Sequence, residues 1–225
     1  MKLTDREWTS WAKEHYPPSS KIYSCDAVYG TPAEPSSSLW CASLVSPLRL
    51  REPFALLDWG CGDGRLFNFL SARFRDFRYY GLERPGDFGT RCVNRARQFF
   101  GHDPRATFDV YDTATEVAAL EEVSSVVMGS VATHVPVEQF AAILSRLRPT
   151  LARDGSLVAS CFIEETGHLL NRAAYGHDDC YGNVAYTHQQ LDDVCARERL
   201  NLEISDTFVS SDGCLHQILK LTVNT

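Results

Sequence analysis

The chain has 225 residues, 44% of them hydrophobic, and 22 lysines and arginines stand against 29 aspartates and glutamates for a formal net charge of −7. That length lies above the usual one-domain size yet within the range that a single α/β unit occupies, and the apolar fraction is enough for a sizeable core. The acidic balance and the lack of any lysine- or arginine-rich run leave no electrostatic footprint for duplex DNA or structured RNA, so no nucleic-acid partner is expected. Met1 to Trp8 carries charge where a signal peptide needs an apolar core, and nowhere do about 18 apolar residues run together; a cytoplasmic protein without a membrane segment is expected. Eight cysteines (Cys25, Cys41, Cys61, Cys92, Cys161, Cys180, Cys195 and Cys214) include no C-x-x-C pair. In a chain too long to need disulfide staples they read as reduced thiols, mostly core filler.

Residues 1 to about 50 differ from the rest of the chain. Trp8, Trp11, Tyr16, Tyr23 and Tyr29 precede a proline and serine stretch, Thr31 to Ser38, that cannot be strand or helix throughout. Trp8 and Trp11 are spaced to pack one helix face on the domain. From Phe54 the order becomes strand–helix alternation. Phe54–Leu57 is a first strand, Leu66, Phe67, Leu70 and Phe74 recur at helical spacing, and Phe77–Glu83 is a second strand. Further strands are predicted at Ala106–Tyr111, Ser124–Gly129 and Ser156–Phe162, with helices at about 87–101, 113–121 and 136–151. A polar, aromatic insert from Glu164 to Tyr186 precedes a helix over Thr187–Glu198. Strands at Leu202–Val209 and His216–Val223, separated by a short turn, close the chain as a hairpin.

This βαβα order predicts a doubly wound α/β fold, a mostly parallel sheet with helices on both faces and an antiparallel last strand. Ligands in such a fold bind beyond the carboxyl ends of the strands near the topological switch point. The turn after the first strand, Asp58-Trp59-Gly60-Cys61-Gly62-Asp63-Gly64-Arg65, lies there. Gly60, Gly62 and Gly64 relieve the Cβ clashes of a sharp reversal and let backbone approach a ligand closely. A dinucleotide site needs G-x-G-x-x-G, and here Arg65 stands at the sixth position, with the third glycine one residue early. Glu83 ends the second strand roughly 20 residues beyond the glycines, the interval at which an acid meets ribose hydroxyls in nucleotide sites.

The acidic-x-G-x-G-x-G run resembles motif I of class I S-adenosylmethionine (SAM) dependent methyltransferases. The likeness covers about Ala55 to Phe162, and Ser130-Val131-Ala132-Thr133-His134 followed by Val135-Pro136 is similar to a subgroup acting on small molecules. The resemblance implies the Rossmann-like methyltransferase sheet of seven strands, SAM as cofactor, and a small polar acceptor methylated on oxygen or, less expected, nitrogen. It implies that Asp58, Gly60, Cys61 and Gly62 bind SAM, that Glu83 holds both ribose hydroxyls, and that the backbone of Ser130 lies near the methionine part. Asp112, after the third strand, is either the acceptor for the adenine amino group or an N-cap. His134 is the candidate general base, since methyl transfer to a hydroxyl or protonated amine releases one proton; the other reading is a structural or pocket-lining histidine.

In similar enzymes the segment before the first strand folds over the site. Residues 1–50 are therefore expected to be a cover, with Tyr29 near SAM, on a 51–225 domain whose 164–186 insert lies on the acceptor side. Arg172, Tyr175 and His177 of the insert are candidates for acceptor binding. His177, Asp178 and Cys180 do not have the spacing of a metal site, and none is expected. No Asn/Asp-Pro-Pro-Tyr/Phe run follows the fourth strand, which argues against DNA amino-methylation; a paired-glutamate loop and the acids of the metal-dependent catechol type are missing there too. A monomer or homodimer fits these readings. The alternative is a SAM-binding regulatory or partner subunit on the same fold that transfers no methyl group.

Overall fold

The computed structural model describes residues 35–111, 120, 123–163, 169–170, 183–209 and 215–224. The first element is helix α1, Pro35–Val45, which starts inside the proline and serine stretch Thr31 to Ser38 and runs on past it. Pro35 stands at its first position, where the missing N–H has no intrahelical partner to lose. Burial drives the helix more than its serine-rich composition does: Trp40, Cys41 and Leu44 are all at most 5% exposed, each large apolar side chain contributing on the order of 1.5–3 kcal/mol.

Strand β1, Phe54–Trp59, helix α2, Arg65–Ser71, strand β2, Phe77–Glu83, helix α3, Asp87–Phe100, and strand β3, Ala106–Val110, form the first half. Strand β4, Val123–Met128, leads through a short 3-10 helix, Ala132–His134, into α4, Val137–Leu147. Strand β5, Leu151–Ile163, is followed by β6, Leu169–Leu170, β7, Asn183–Tyr186, helix α5, His188–Arg197, and strands β8, Leu200–Val209, and β9, Leu215–Val223. Thr187 and Gln190 close a reciprocal capping box at the start of α5, satisfying two backbone donors.

The main sheet runs β3-β2-β1-β4-β5-β9-β8. β1 to β5 pair in parallel, and β9 is antiparallel to both β5 and β8. The chain moves outward from β1 to β3 and then returns to lay β4 on the other side of β1, so the switch point lies between β1 and β4. Strand alternation sends Leu57 and Trp59 to one face, with Phe140, Leu144 and Leu191, and Leu56 to the other, with Phe67, Tyr79, Phe100 and Trp40.

β5 starts at Leu151, ahead of the predicted Ser156. Val123 pairs with Leu151 and Ser125 with Ser156, so the Asp154-Gly155 dipeptide, which reads as a turn, is absorbed as an irregularity within the strand. β6 and β7 are two further short strands inside the stretch read as an insert. β7 pairs in parallel with the last residues of β5, Phe162 and Ile163, and β6 pairs antiparallel with β7.

Candidate functional site

At the end of β1 the backbone turns through three left-handed glycines, Gly60 (φ +86°), Gly62 (φ +52°) and Gly64 (φ +83°). The Gly60 and Cys61 N–H groups both donate to Leu82 O, at 2.7 and 3.1 Å, tying the loop to β2. A Cβ on Gly60 would lie 2.4 Å from Val131 Cγ2, so this loop abuts the turn that follows β4. A Cβ on Gly62 would meet nothing within 4 Å. The loop therefore packs tightly below and leaves open space at its crest.

Glu83, 6% exposed at the end of β2, spans this crest. Its Oε2 accepts the Gly62 N–H at 2.9 Å and its Oε1 the Arg84 N–H at 2.9 Å. Each oxygen keeps a second lone pair, the acceptor capacity that a vicinal diol requires. Burial raises the Glu83 carboxyl above its ordinary range, and the hydrogen bonds from Arg84 and Gly62 oppose that rise. The Arg95 guanidinium of α3 reaches back to Asp63 in the loop, with Nε 3.1 Å and a terminal nitrogen 2.9 Å from Oδ1.

Asp58 sits beneath the loop, 4% exposed. Its carboxylate accepts the Tyr79 hydroxyl of β2. Burial pushes its pKa up to about 7 against that hydrogen bond, and the Glu83 charge adds to the rise. Between the unfolded value of about 4 and the folded value, the native state holds a proton that the unfolded chain has lost, so this group's contribution to stability falls as pH rises through that window. Asp58→Asn, which keeps an acceptor for Tyr79, should remove the dependence. Urea denaturation at pH 5 and pH 8 checks this: the variant should gain on the wild type at pH 8, and parallel behaviour would mean that Asp58 does not titrate in this window.

Cys61 is buried between the glycines, and burial together with the Glu83 and Asp58 charges raises its thiol far above neutrality. It is filler rather than nucleophile. At the end of β3, Tyr111 stacks on Trp59 with ring centroids 3.9 Å apart, and its N–H donates to Glu83 O at 2.9 Å. The Arg146 guanidinium lies over both rings, 5.6 and 5.9 Å from their centroids. Tyr111 and Arg146 thus cover Trp59, which is 1% exposed.

Across the switch point, Ser130 adopts φ +60° after β4, and its N–H donates to Ser160 Oγ of β5 at 2.8 Å. Thr133 Oγ1 donates back to Ser130 O at 2.8 Å. His134 ends the 3-10 helix half-buried, its N–H donating to Val131 O at 3.0 Å. Gly129 lies under α1, where a Cβ would come within 3.0 Å of Leu44 Cδ1. Trp40 of the same helix packs edge-on against His216 at 5.2 Å.

The fold thus brings Gly60, Cys61, Gly62, Glu83, Ser130 and His134 to the carboxyl ends of adjacent strands, with Asp58 underneath. Tyr29, Asp112, Arg172, Tyr175 and His177 lie outside the described residues, as do Trp8, Trp11 and Tyr23. Sequence reasoning missed Tyr79, Arg95, Ser160 and Tyr186, whose partners are distant in the chain. Among the described residues no group of His, Cys, Asp and Glu could hold a metal ion, and no helix is long and apolar enough to cross a membrane.

No protein-family model matches the chain, and no curated protein matches it in sequence. Solved structures do. Magnesium protoporphyrin IX methyltransferase from Synechocystis PCC 6803 with bound SAM superposes with a TM-score of 0.60 at 16% identity, over 98% of each chain. Human N-acetylserotonin methyltransferase in complex with SAM gives 0.61 at 14% identity, over 93% of this chain and 60% of that one. The chain has the class I methyltransferase fold. The glycopeptide N-methyltransferase MtfA shares this methyltransferase fold with a TM-score of 0.60 at 15% identity, over 83% of this chain and 90% of that one. The glycine loop and the turn carrying His134 meet at the ends of the paired strands β1 and β4.

Proposed function

We propose that the chain is a SAM-dependent methyltransferase that transfers a methyl group to an oxygen, or less readily a nitrogen, of a small polar molecule. The observation that carries this reading is Glu83. It is a buried carboxylate joined by a hydrogen bond to the glycine loop, with open space at Gly62 and spare lone pairs for a ribose diol. The methyltransferases of similar fold crystallised with SAM support it.

In this reading Gly60, Cys61 and Gly62 bring backbone close to the donor, while Asp58 shapes the loop from beneath. Ser130 faces the methionine part, and Asp112 and Tyr29 complete the adenine and outer sides. Arg172, Tyr175 and His177 contact the acceptor. SAM supplies an electrophilic methyl group on a sulfonium. The chain's own task is to hold the acceptor in line and take up the proton that O- or N-methylation releases, which His134 does.

Calorimetric titration with SAM, S-adenosylhomocysteine and NAD tests the donor site. Micromolar binding of the two sulfur ligands and none of NAD is expected. Glu83→Ala should weaken binding by about 100-fold or more, the scale of two lost hydrogen bonds to a charged acceptor. Failure of both sulfur ligands to bind would overturn the reading. Binding without release of S-adenosylhomocysteine across a panel of hydroxylated and amino acceptors would favour a regulatory subunit.

A further inference from the structure

The turn after β4 is held by more hydrogen bonds than chain reversal needs. Ser130 occupies the left-handed region, which costs a non-glycine residue about 1–2 kcal/mol. Its N–H is captured by Ser160 Oγ, and Ser160 is 0% exposed. On the other side the Tyr186 hydroxyl of β7 lies 2.8 Å from Ala132 O and 2.7 Å from Val135 O. One phenolic proton is shared between two carbonyls that flank Thr133-His134. Tyr186 is itself 1% exposed and stacks on Phe140 of α4 at 5.4 Å. Burial pushes its phenol far above neutrality, so it remains a donor. Thr133, 1% exposed, turns inward and bonds Ser130 O, while His134 stays half-buried.

We propose that Tyr186 and Ser160 are positioning residues for His134, clamping the two ends of its turn from the strands that follow it so that the imidazole is presented in one orientation. This rests on the reading of His134 as the methyl-transfer base. A phenol that clasps the carbonyls on both sides of a two-residue segment removes the peptide rotations by which that segment would swing. The serine does the same at the entry, where Ser130 would otherwise relax out of its left-handed conformation. Tyr186 also closes the 164–186 stretch, so its strand is in direct contact with the turn of the candidate base.

The experiment uses the full chain and needs no acceptor. The His134 imidazole signal, identified by its loss in His134→Ala, is followed by carbon–proton correlation NMR in wild type, Tyr186→Phe, Ser160→Ala and Ser160→Thr. Tyr186→Phe retains the ring packed on Phe140 and removes only the hydroxyl. Its imidazole signal should move by more than a linewidth and broaden from exchange on the μs–ms timescale. Ser160→Ala should do likewise, and Ser160→Thr, which restores a hydroxyl, should return the signal towards wild type. An unchanged His134 signal in both Tyr186→Phe and Ser160→Ala would overturn the proposal, even if both variants melt lower, since that is the mark of a purely structural bond. If Tyr186→Phe fails to fold, the serine pair decides alone. SAM titration of the same samples separates the two readings. Affinity should stay within about three-fold in Tyr186→Phe, whose hydroxyl bonds the Ala132 and Val135 carbonyls, and a wild type that binds no SAM would sink the methyltransferase reading while leaving the imidazole result to stand on its own.

Discussion

Gly60→Ala should lose SAM binding beyond detection, the largest single effect expected at the donor site. At φ +86° an alanine carries left-handed strain of about 1–2 kcal/mol. Its Cβ would also lie 2.4 Å from Val131 Cγ2, a contact that real side chains do not make. Relief requires moving either the loop, which gives up the Gly60 and Cys61 hydrogen bonds to Leu82 O, or the Val131 side chain, which belongs to the turn bearing Ser130 and His134. The two halves of the candidate site meet at that contact. Gly62→Ala makes the contrast: with nothing within 4 Å and φ +52°, it bears the strain alone. Thermal melting and calorimetry on the two variants check this. Gly60→Ala should lose several degrees and all binding, whereas Gly62→Ala should stay folded and report only what its methyl group does to the ligand. Equal affinities for Gly60→Ala and wild type would mean that SAM does not use this loop.

His134→Ala should lower turnover by about 100-fold or more while leaving SAM affinity within a few-fold, as loss of a general base does. The separation follows from the architecture. In the proposed reading the donor side is built from the ends of β1 and β2, with Glu83 and the glycine loop joined to each other. His134 stands on the turn after β4, held through backbone and side-chain contacts to Ser160 and Tyr186. Removing its imidazole leaves those backbone bonds in place. Initial rates of S-adenosylhomocysteine formation, once an acceptor is found, decide the matter together with SAM titration. Lost affinity with unchanged turnover would make His134 a binding residue instead.

Much of the site could be read from the sequence because its demands are local. Left-handed backbone at positions 60, 62 and 64 is cheap only for glycine, so three glycines at that spacing reveal the loop before any fold is known. Phe77–Glu83 matches its predicted bounds because one continuous run fills a strand and stops at a carboxylate. β1 reaches Trp59 rather than Leu57 because Asp58 and Trp59 pair with Gly81 and Leu82, a cross-strand fact. Helix α1 is illegible for a related reason: Pro35 and three serines carry weak helix signals, and the burial of Trp40 and Leu44 that secures it depends on the sheet below.

The α/β alternation, the parallel sheet with an antiparallel last strand, the glycine loop and the carboxylate at the end of β2 are all legible along the chain. Each follows from periodicity, from backbone conformations that few residue types can adopt, or, for Glu83, from its interval beyond the glycines. Which side chains brace them depends on how the chain is folded. Tyr79 and Asp58 are 21 residues apart, Arg95 and Asp63 32, Ser160 and Ser130 30, and Tyr186 and Ala132 54. No local pattern encodes such pairs, because a hydrogen bond needs its partners within about 3 Å, and here the parallel sheet and its crossovers bring them together.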